Sequence, residues 1–413
     1  MNLDKDVVII GAGPAGLAAS VELVKNGVKD IVVIERESFA GGILNQCIHD
    51  GFGVVKFNEV LTGPEYAHKY IDQAKKLGVE ILTSSMVVNM SSDKEITVMS
   101  SKGLNTYKAK AVILAMGCRE RTRGAIGIPG TRPAGIFTAG VAQNFVNLKN
   151  MMVGKQVVIL GSGDIGLIMA RRLTLEGAKV IAVVEKMPYS NGLARNVTQC
   201  LEDYNIPLLL SHTVINIEGK ERLKSVTIAM VDDKGEPIRG TSRKIECDTL
   251  ILSVGLVPEN ELSKDAGVDI DEVTQGAIVD ENLQTSIEGV FACGNVLQVH
   301  DLVDHVSNEA EKAAKSVLEY IEGKHKKQEK VAVKAGKGIR YVLPHTISGK
   351  KDVAFSMRVD KQWTDVKLIF SSDERLIKCL KYRKLNPSEM LVVSIKALEL
   401  KGIRSLEVEI SED

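Results

Sequence analysis

The 413-residue chain predicts an α/β fold: two βαβ units of one design, followed by a small β-rich domain. Three observations carry that reading. An apolar run, a glycine turn, a helical stretch and a second apolar run ending in an acid occur in that order at residues 7–35. The same order recurs at residues 155–185. From residue 338 onward the apolar residues fall in short runs, several with period two.

In the first unit the apolar run Val7–Ile10 leads into Gly11-Ala12-Gly13-Pro14-Ala15-Gly16. A helix is expected from Leu17 to Lys25, capped by Asn26-Gly27, and a strand from Ile31 to Ile34 ends at Glu35. Gly11 allows the tight turn, Gly13 lets a pyrophosphate reach the backbone, and Gly16 lets helix and strand pack closely. The helix N-terminus then offers free N–H groups and a positive dipole end to phosphate. Glu35 can accept from both hydroxyls of an adenosine ribose. The full order, rather than the glycines alone, makes this a dinucleotide site.

The second unit runs from Lys155–Leu160 through Gly161-Ser162-Gly163-Asp164-Ile165-Gly166. A helix over Leu167–Leu175, Gly177, and a strand Ala178–Val184 ending at Glu185 complete it. Glu185 would accept from a free 2′-hydroxyl and repel a 2′-phosphate, which favours NAD(H) over NADP(H) here. Lys186 follows at once and tempers that preference.

Composition narrows the class. Hydrophobic residues are 44% and charged residues 26%, the balance of a soluble globular chain rather than a disordered one. No apolar run reaches the ~18 residues that span a bilayer, so no direct membrane insertion is expected. Aromatics are 4% with a single Trp, which argues against a stacking surface for nucleic acid. Six cysteines form no CxxC and no zinc-ligand spacing, and the N-terminus lacks a secretory pattern. A reduced, cytoplasmic chain with no metal site is the expectation. Formal charge is zero, yet residues 324–413 hold 20 basic and 12 acidic side chains. This basic tail would be a solvated face, or would dock on an acidic partner or on the body of the chain.

Three smaller motifs extend the pattern. Ala111–Gly117 and Asp248–Gly255 are apolar strands ending in glycine, and Thr285–Asn295 (TSIEGVFACGN) closes a longer segment. With the two glycine units, they make residues 5–323 resemble the two-dinucleotide flavoproteins of the pyridine nucleotide-disulphide oxidoreductase type, such as thioredoxin and glutathione reductases. The resemblance implies nested Rossmann-like domains. FAD would be held by residues 1–118 and 256–323, NAD(P) by residues 119–255, and residues 324–413 would be a charged linker, Lys324–Lys330, and a β-rich assembly domain. On the FAD side it implicates Gly11, Gly13, Pro14, Ala15 and Gly16, then Glu35, Arg36, Gly42, Ile43, Cys47 and Val87. Further along it implicates Ala115, Gly117, Gly294, Asn295 and His305. On the NAD side it implicates Gly161, Ser162, Gly163, Asp164, Ile165, Glu185 and Gly255. Asn295 stands where the family usually has Asp, and would accept a ribityl hydroxyl without charge. A helix from Asp304 or His305 to Tyr320 would aim its positive end at the flavin ring.

What is absent points to the reaction. Gly135–Ala142 has no cysteine where thioredoxin reductases carry a CxxC, and Gly41–His49 has only Cys47 where glutathione reductases carry a pair. A dithiol relay needs two sulfurs. Cys47 and His305 are therefore only candidates near the ring; Cys47 reads as a packing or flavin-contacting residue, or as a single redox thiol. Gly41–Gly53, Cys118–Arg121 and Val299–His305 further resemble flavoprotein subunits that accompany glycerol-3-phosphate, proline or opine oxidising partners. That implies a second flavoprotein dehydrogenase or oxidase subunit and a small iron–sulfur or cysteine-rich subunit. A stand-alone NADH oxidase, or a structural subunit holding ADP or ATP at the second site, are the alternatives.

Overall fold

The computed structural model describes residues 2–324, 330–373 and 375–412. It divides into two units, Met1–Cys118 with Pro258–Asp413, and Arg119–Val257.

In the first unit Asn2–Ile10 lies at the centre of a seven-stranded sheet. On one side come Ile31–Ile34 and Glu80–Leu82, all parallel; on the other comes Gly103–Leu114, also parallel. Glu95–Ser100 and Ser85–Met90 continue antiparallel, and Val290–Ala292 adds in parallel to Gly103–Leu114. Val7, Val8, Ile9 and Val112 are fully buried, as expected of parallel strands covered on both faces. The first helix is Pro14–Lys25; it ends at Asn26 as expected and begins three residues earlier than the pattern of apolar positions suggested. Proline in the first turn accounts for this, since its missing N–H costs nothing there.

The second unit repeats the plan. Gln156–Leu160 is central, flanked by Lys179–Val184 and Leu208–Leu209 on one side and Thr249–Leu252 and Ile136–Thr138 on the other, all parallel. The helix Asp164–Leu175 follows the glycine turn. An antiparallel ribbon of His212–Gly219, Leu223–Met230 and Arg243–Glu246 sits between the halves of the sheet in sequence, as Ser85–Leu114 does in the first unit.

The C-terminal part is a two-sheet sandwich. One sheet orders Thr346–Ile347, Val331–Ala335, Ser405–Glu412, Trp363–Ser372 and Arg375–Leu385; the other orders Ile339–Leu343, Val353–Val359 and Leu391–Ile395. Alternation does what it should. Phe355, Met357 and Val359 from one sheet meet Leu368, Phe370, Leu406 and Val408 from the other in a shared core. Two strands, Val331–Ala335 and Thr346–Ile347, and the short helix Ala397–Leu400 were not expected from the sequence. The first is a single Val-Ala-Val step with two buried residues, and the second is two residues long; neither leaves a periodic signal. The charged linker falls largely on residues 325–329, which lie outside the described residues.

This sandwich belongs to the first unit and packs on its flavin-side segments. His345 N–H donates to Val279 O at 2.9 Å, and Val279 N–H donates to His345 Nδ1 at 3.1 Å. Ser348 N–H donates to Glu281 Oε2, and Arg358 pairs with Asp301. Docking on the body of the chain is thus realised, through a few specific groups rather than through the tail's net charge.

Candidate FAD and NAD(P) sites

The first glycine turn is fixed by steric fit. Gly11 has φ +104°, and a Cβ there would lie 2.4 Å from Ala115 O. A Cβ on Gly16 would lie 1.8 Å from Gly11 O. Gly13 differs: nothing stands within 4 Å of its missing Cβ. The two outer glycines permit close packing, and the middle one opens the surface that a pyrophosphate needs. Gly41 N–H donates to Ala12 O, which brings Gly42 against Gly13, its own missing Cβ 3.0 Å from Gly13 Cα. Pro14 and Ala15 open the helix, and Ile43, next to this opening, is 57% exposed.

Glu35 closes the unit. It is buried, and its two oxygens accept from Ala12 N–H at 2.8 Å and Glu37 N–H at 2.9 Å. One lone pair on each oxygen is left for a ribose. Arg36 beside it is exposed. Ser85 N–H donates to Glu35 O, so the strand that carries Val87 starts at the acid. Ala115 is tied to Ile10 O, and Gly117 O accepts from Glu259 N–H.

The second turn has the same design. Gly161 has φ +100°, and a Cβ there would lie 2.0 Å from Ser253 O; Gly166 packs on Gly161 O and Ser253; Gly163 faces only Ser253 Oγ at 3.7 Å. Glu185 accepts from Ser162 N–H at 2.8 Å and from Met187 N–H at 2.9 Å, the counterparts of the Ala12 and Glu37 bonds. Ser162 Oγ adds a third bond at 2.6 Å. Gly255 O accepts from Arg121 N–H. Ile165 lies partly exposed in the first turn of the helix.

Several of these side chains have partners of their own within the chain. Asp164 does not face open space. Its Oδ1 accepts from Leu193 N–H at 2.8 Å and Asn196 Nδ2 at 2.7 Å, pinning the 190–196 segment beside the turn. A short acid just inside a helix start is a good acceptor for a neighbouring helix start, here Ala194–Cys200. Asn295 keeps only part of its capacity: Oδ1 accepts from His300 N–H at 3.1 Å, and Nδ2 donates to Cys118 Sγ at 3.6 Å. The helix expected from Asp304 or His305 spans Val303–Ile321. Its positive end is offset, because Asp304 is buried in the first turn and accepts from Gly53 N–H and Lys56 N–H. His305 is partly buried beside it. Cys47 is a half-buried thiol donating to Ile43 O at 3.3 Å; burial pushes its pKa up to about 12. Burial thus disfavours a thiolate at this position.

Sequence reasoning missed Asp304 as an anchor and Glu309 altogether. Glu309 accepts from Gly294 N–H at 2.7 Å and Gln298 Nε2 at 2.8 Å, and pairs with His300 Nε2 at 3.3 Å. Burial raises its pKa, but His300 and these donors outweigh it and hold the carboxyl below its usual value. An acid at helical spacing reads as solvated surface unless its partners are known. Among the described residues, no cysteine is in a disulphide and no group of three or more His, Cys, Asp or Glu forms a metal cluster. No described helix is long and apolar enough to cross a membrane.

The model of the family described as pyridine nucleotide-disulphide oxidoreductase matches residues 5–342. The chain belongs to that family. Its relatives include the NAD(P)H coenzyme A polysulfide/persulfide reductase of Pyrococcus horikoshii, 28% identical over 313 residues. That match covers 73% of this chain and 65% of the relative, so the chain spans just under two thirds of that protein. Thioredoxin reductase of Bacillus subtilis is 28% identical over 320 residues, covering 77% of this chain and 95% of the relative. Among solved structures, T. acidophilum thioredoxin reductase superposes with a TM-score of 0.64 at 26% identity, covering 78% of this chain and 99% of the other. This member of the family is accordingly an oxidoreductase of the FAD-dependent, NAD(P)H-using type. The open faces of Gly13 and Gly163 and the buried acids Glu35 and Glu185 fit one dinucleotide each.

Proposed function

We propose that this chain is the FAD- and NAD(H)-binding subunit of a multi-subunit dehydrogenase. It moves hydride between NAD(H) and FAD, and electrons to or from an iron–sulfur or flavoprotein partner that oxidises glycerol 3-phosphate or an amino acid. The observation that carries this reading is the state of the cysteines. None of the six is in a disulphide, and the segment after the first glycine turn offers one cysteine, Cys47, where a dithiol relay needs two. The thiol–disulphide exit used by a dithiol reductase therefore lacks its second sulfur there. A bound flavin supplies the rest of the chemistry, accepting a pair of electrons and passing them on singly.

The residues here bind and orient. Glu35 and Glu185 receive ribose hydroxyls, and the open glycine faces receive pyrophosphate. Glu185, buried and already holding three donors, supports NAD(H) over NADP(H). An exit to a partner is supported by the segment after the first turn, where Phe39, Ile43, Ile48, Val54, Val55 and Val60 are all at least 40% exposed. Apolar side chains clustered in one segment suit a protein surface better than water.

The test is anaerobic addition of NADH to the purified chain while flavin absorbance is followed. Bleaching, slow re-oxidation by air and fast re-oxidation by a co-purified iron–sulfur partner are expected. Unbleached flavin would instead identify a nucleotide-holding structural subunit, and rapid oxidation by air alone an NADH oxidase.

A further inference from the structure

The segment that joins Val290–Ala292 to the helix Val303–Ile321 runs along the FAD site. Gly294 packs on the first glycine helix, its missing Cβ 2.9 Å from Ala15 Cβ. Asn295 follows. Between Asn295 and Val303 the chain is irregular apart from one short turn, Gly294–Val296. Irregular backbone keeps its place only if its polar groups are satisfied from outside.

They are satisfied from two flanks. On the inner flank stands Glu309, holding Gly294 N–H, Gln298 Nε2 and His300 Nε2. On the outer flank stands the C-terminal sandwich. Ser356 Oγ accepts from Gln298 Nε2 at 2.9 Å and donates to Gln298 Oε1 at 3.1 Å. Arg358 Nη2 donates to Val299 O at 3.0 Å and pairs with Asp301 Oδ1. The other oxygen of Asp301 accepts from Met390 N–H at 2.7 Å. Arg358 is itself locked: Nε donates to Tyr341 Oη and Nη1 to Pro387 O, each at 3.2 Å, and its side chain is 12% exposed. A guanidinium with four of its five N–H donors committed and little water around it fixes geometry rather than merely adding charge.

We propose that the C-terminal sandwich is a brace for the FAD-binding segment. Arg358 and Ser356 are positioning residues that act on the cofactor site through Gln298, Val299 and Asp301. The inference rests on FAD lying at the first glycine turn; it is independent of which acceptor takes the electrons. It assigns the sandwich work inside the chain, beyond any part in assembly.

The test uses the full chain, stripped of flavin and titrated with FAD, with affinity read from flavin fluorescence and ring environment from visible circular dichroism. Arg358→Met is expected to raise the FAD dissociation constant at least tenfold and to alter the visible signal. Ser356→Ala, a milder change that should fold in any case, is expected to raise it about threefold. Leu368→Ala opens the sandwich core away from the segment; it should lower the melting temperature and leave FAD affinity within twofold. The brace is overturned if Ser356→Ala and folded Arg358→Met bind FAD like the parent, or if Leu368→Ala weakens FAD as much as they do. A parent chain that takes up no FAD would overturn the site assignment together with the brace.

Discussion

At the scale of single residues, the two glycine turns separate the two cofactors. Gly11 and Gly161 both sit in the left-handed region, and each lies too close to a carbonyl oxygen, of Ala115 or Ser253, for any side chain. Gly11→Ala is expected to abolish FAD binding. Gly161→Ala is expected to leave the protein yellow while flavin reduction by NADH falls at least a hundredfold; absorbance and stopped-flow reduction check both. Two largely buried histidines set opposite pH limits. For His345, burial outweighs Asp271 and lowers the pKa below its ordinary 6.5. The native state keeps it neutral, so its contribution is full above 6.5 and is lost as pH falls below that value. For His300, burial is outweighed by Glu309 and the pKa is raised; that contribution is full below 6.5 and is lost as pH rises through the higher value. Melting temperature against pH should therefore show an acid limb that flattens in His345→Gln and an alkaline limb that flattens in His300→Gln.

At the scale of elements, the helix Val303–Ile321 carries more than its dipole. Asp304 holds the backbone of Gly53 and Lys56, Ser307 meets Tyr66 Oη at 2.8 Å, and Glu311 pairs with Lys56. One helix face thus fastens the unusual loop after the first glycine turn. Asp304→Asn removes one acceptor and sets an N–H₂ against backbone donors, so a loss of about 1–3 kcal/mol is expected. Chemical denaturation measures it, and faster tryptic cleavage after Lys56 locates it. The sequence made much of this scale legible. Ile31–Ile34 matches the structure to the residue, because a continuous apolar run bounded by turn residues has few other readings. The glycine turns were legible because their spacing encodes a steric fit. Asp304 and Glu309 were not: their partners lie about 250 residues upstream or in an irregular loop, and a buried acid on a helix spells the same letters as a solvated one. The side-chain partners of Asp164 were hidden for the same reason, since nothing local announced Leu193 and Asn196 as its donors.

At the scale of the whole molecule, one unit is continuous in sequence and the other is not. Arg119–Val257 contains its entire parallel sheet, its glycine turn and its ribbon. The flanking unit needs Val290–Ala292 to complete its sheet and residues beyond 258 to complete its core. A fragment of residues 119–257 is therefore expected to fold alone and to bind NAD(H), with a cooperative melt and calorimetric binding as the checks. A fragment of residues 1–118 should not fold. That asymmetry has a consequence during synthesis. A ribosome working along this message releases the inner unit finished while the outer one still waits, with Gly103–Leu114 already exposed and its neighbour strand not yet translated. The vulnerable interval for this protein, when a chaperone or a protease has its opening, is the time taken to add the residues after 257 that complete that sheet and core.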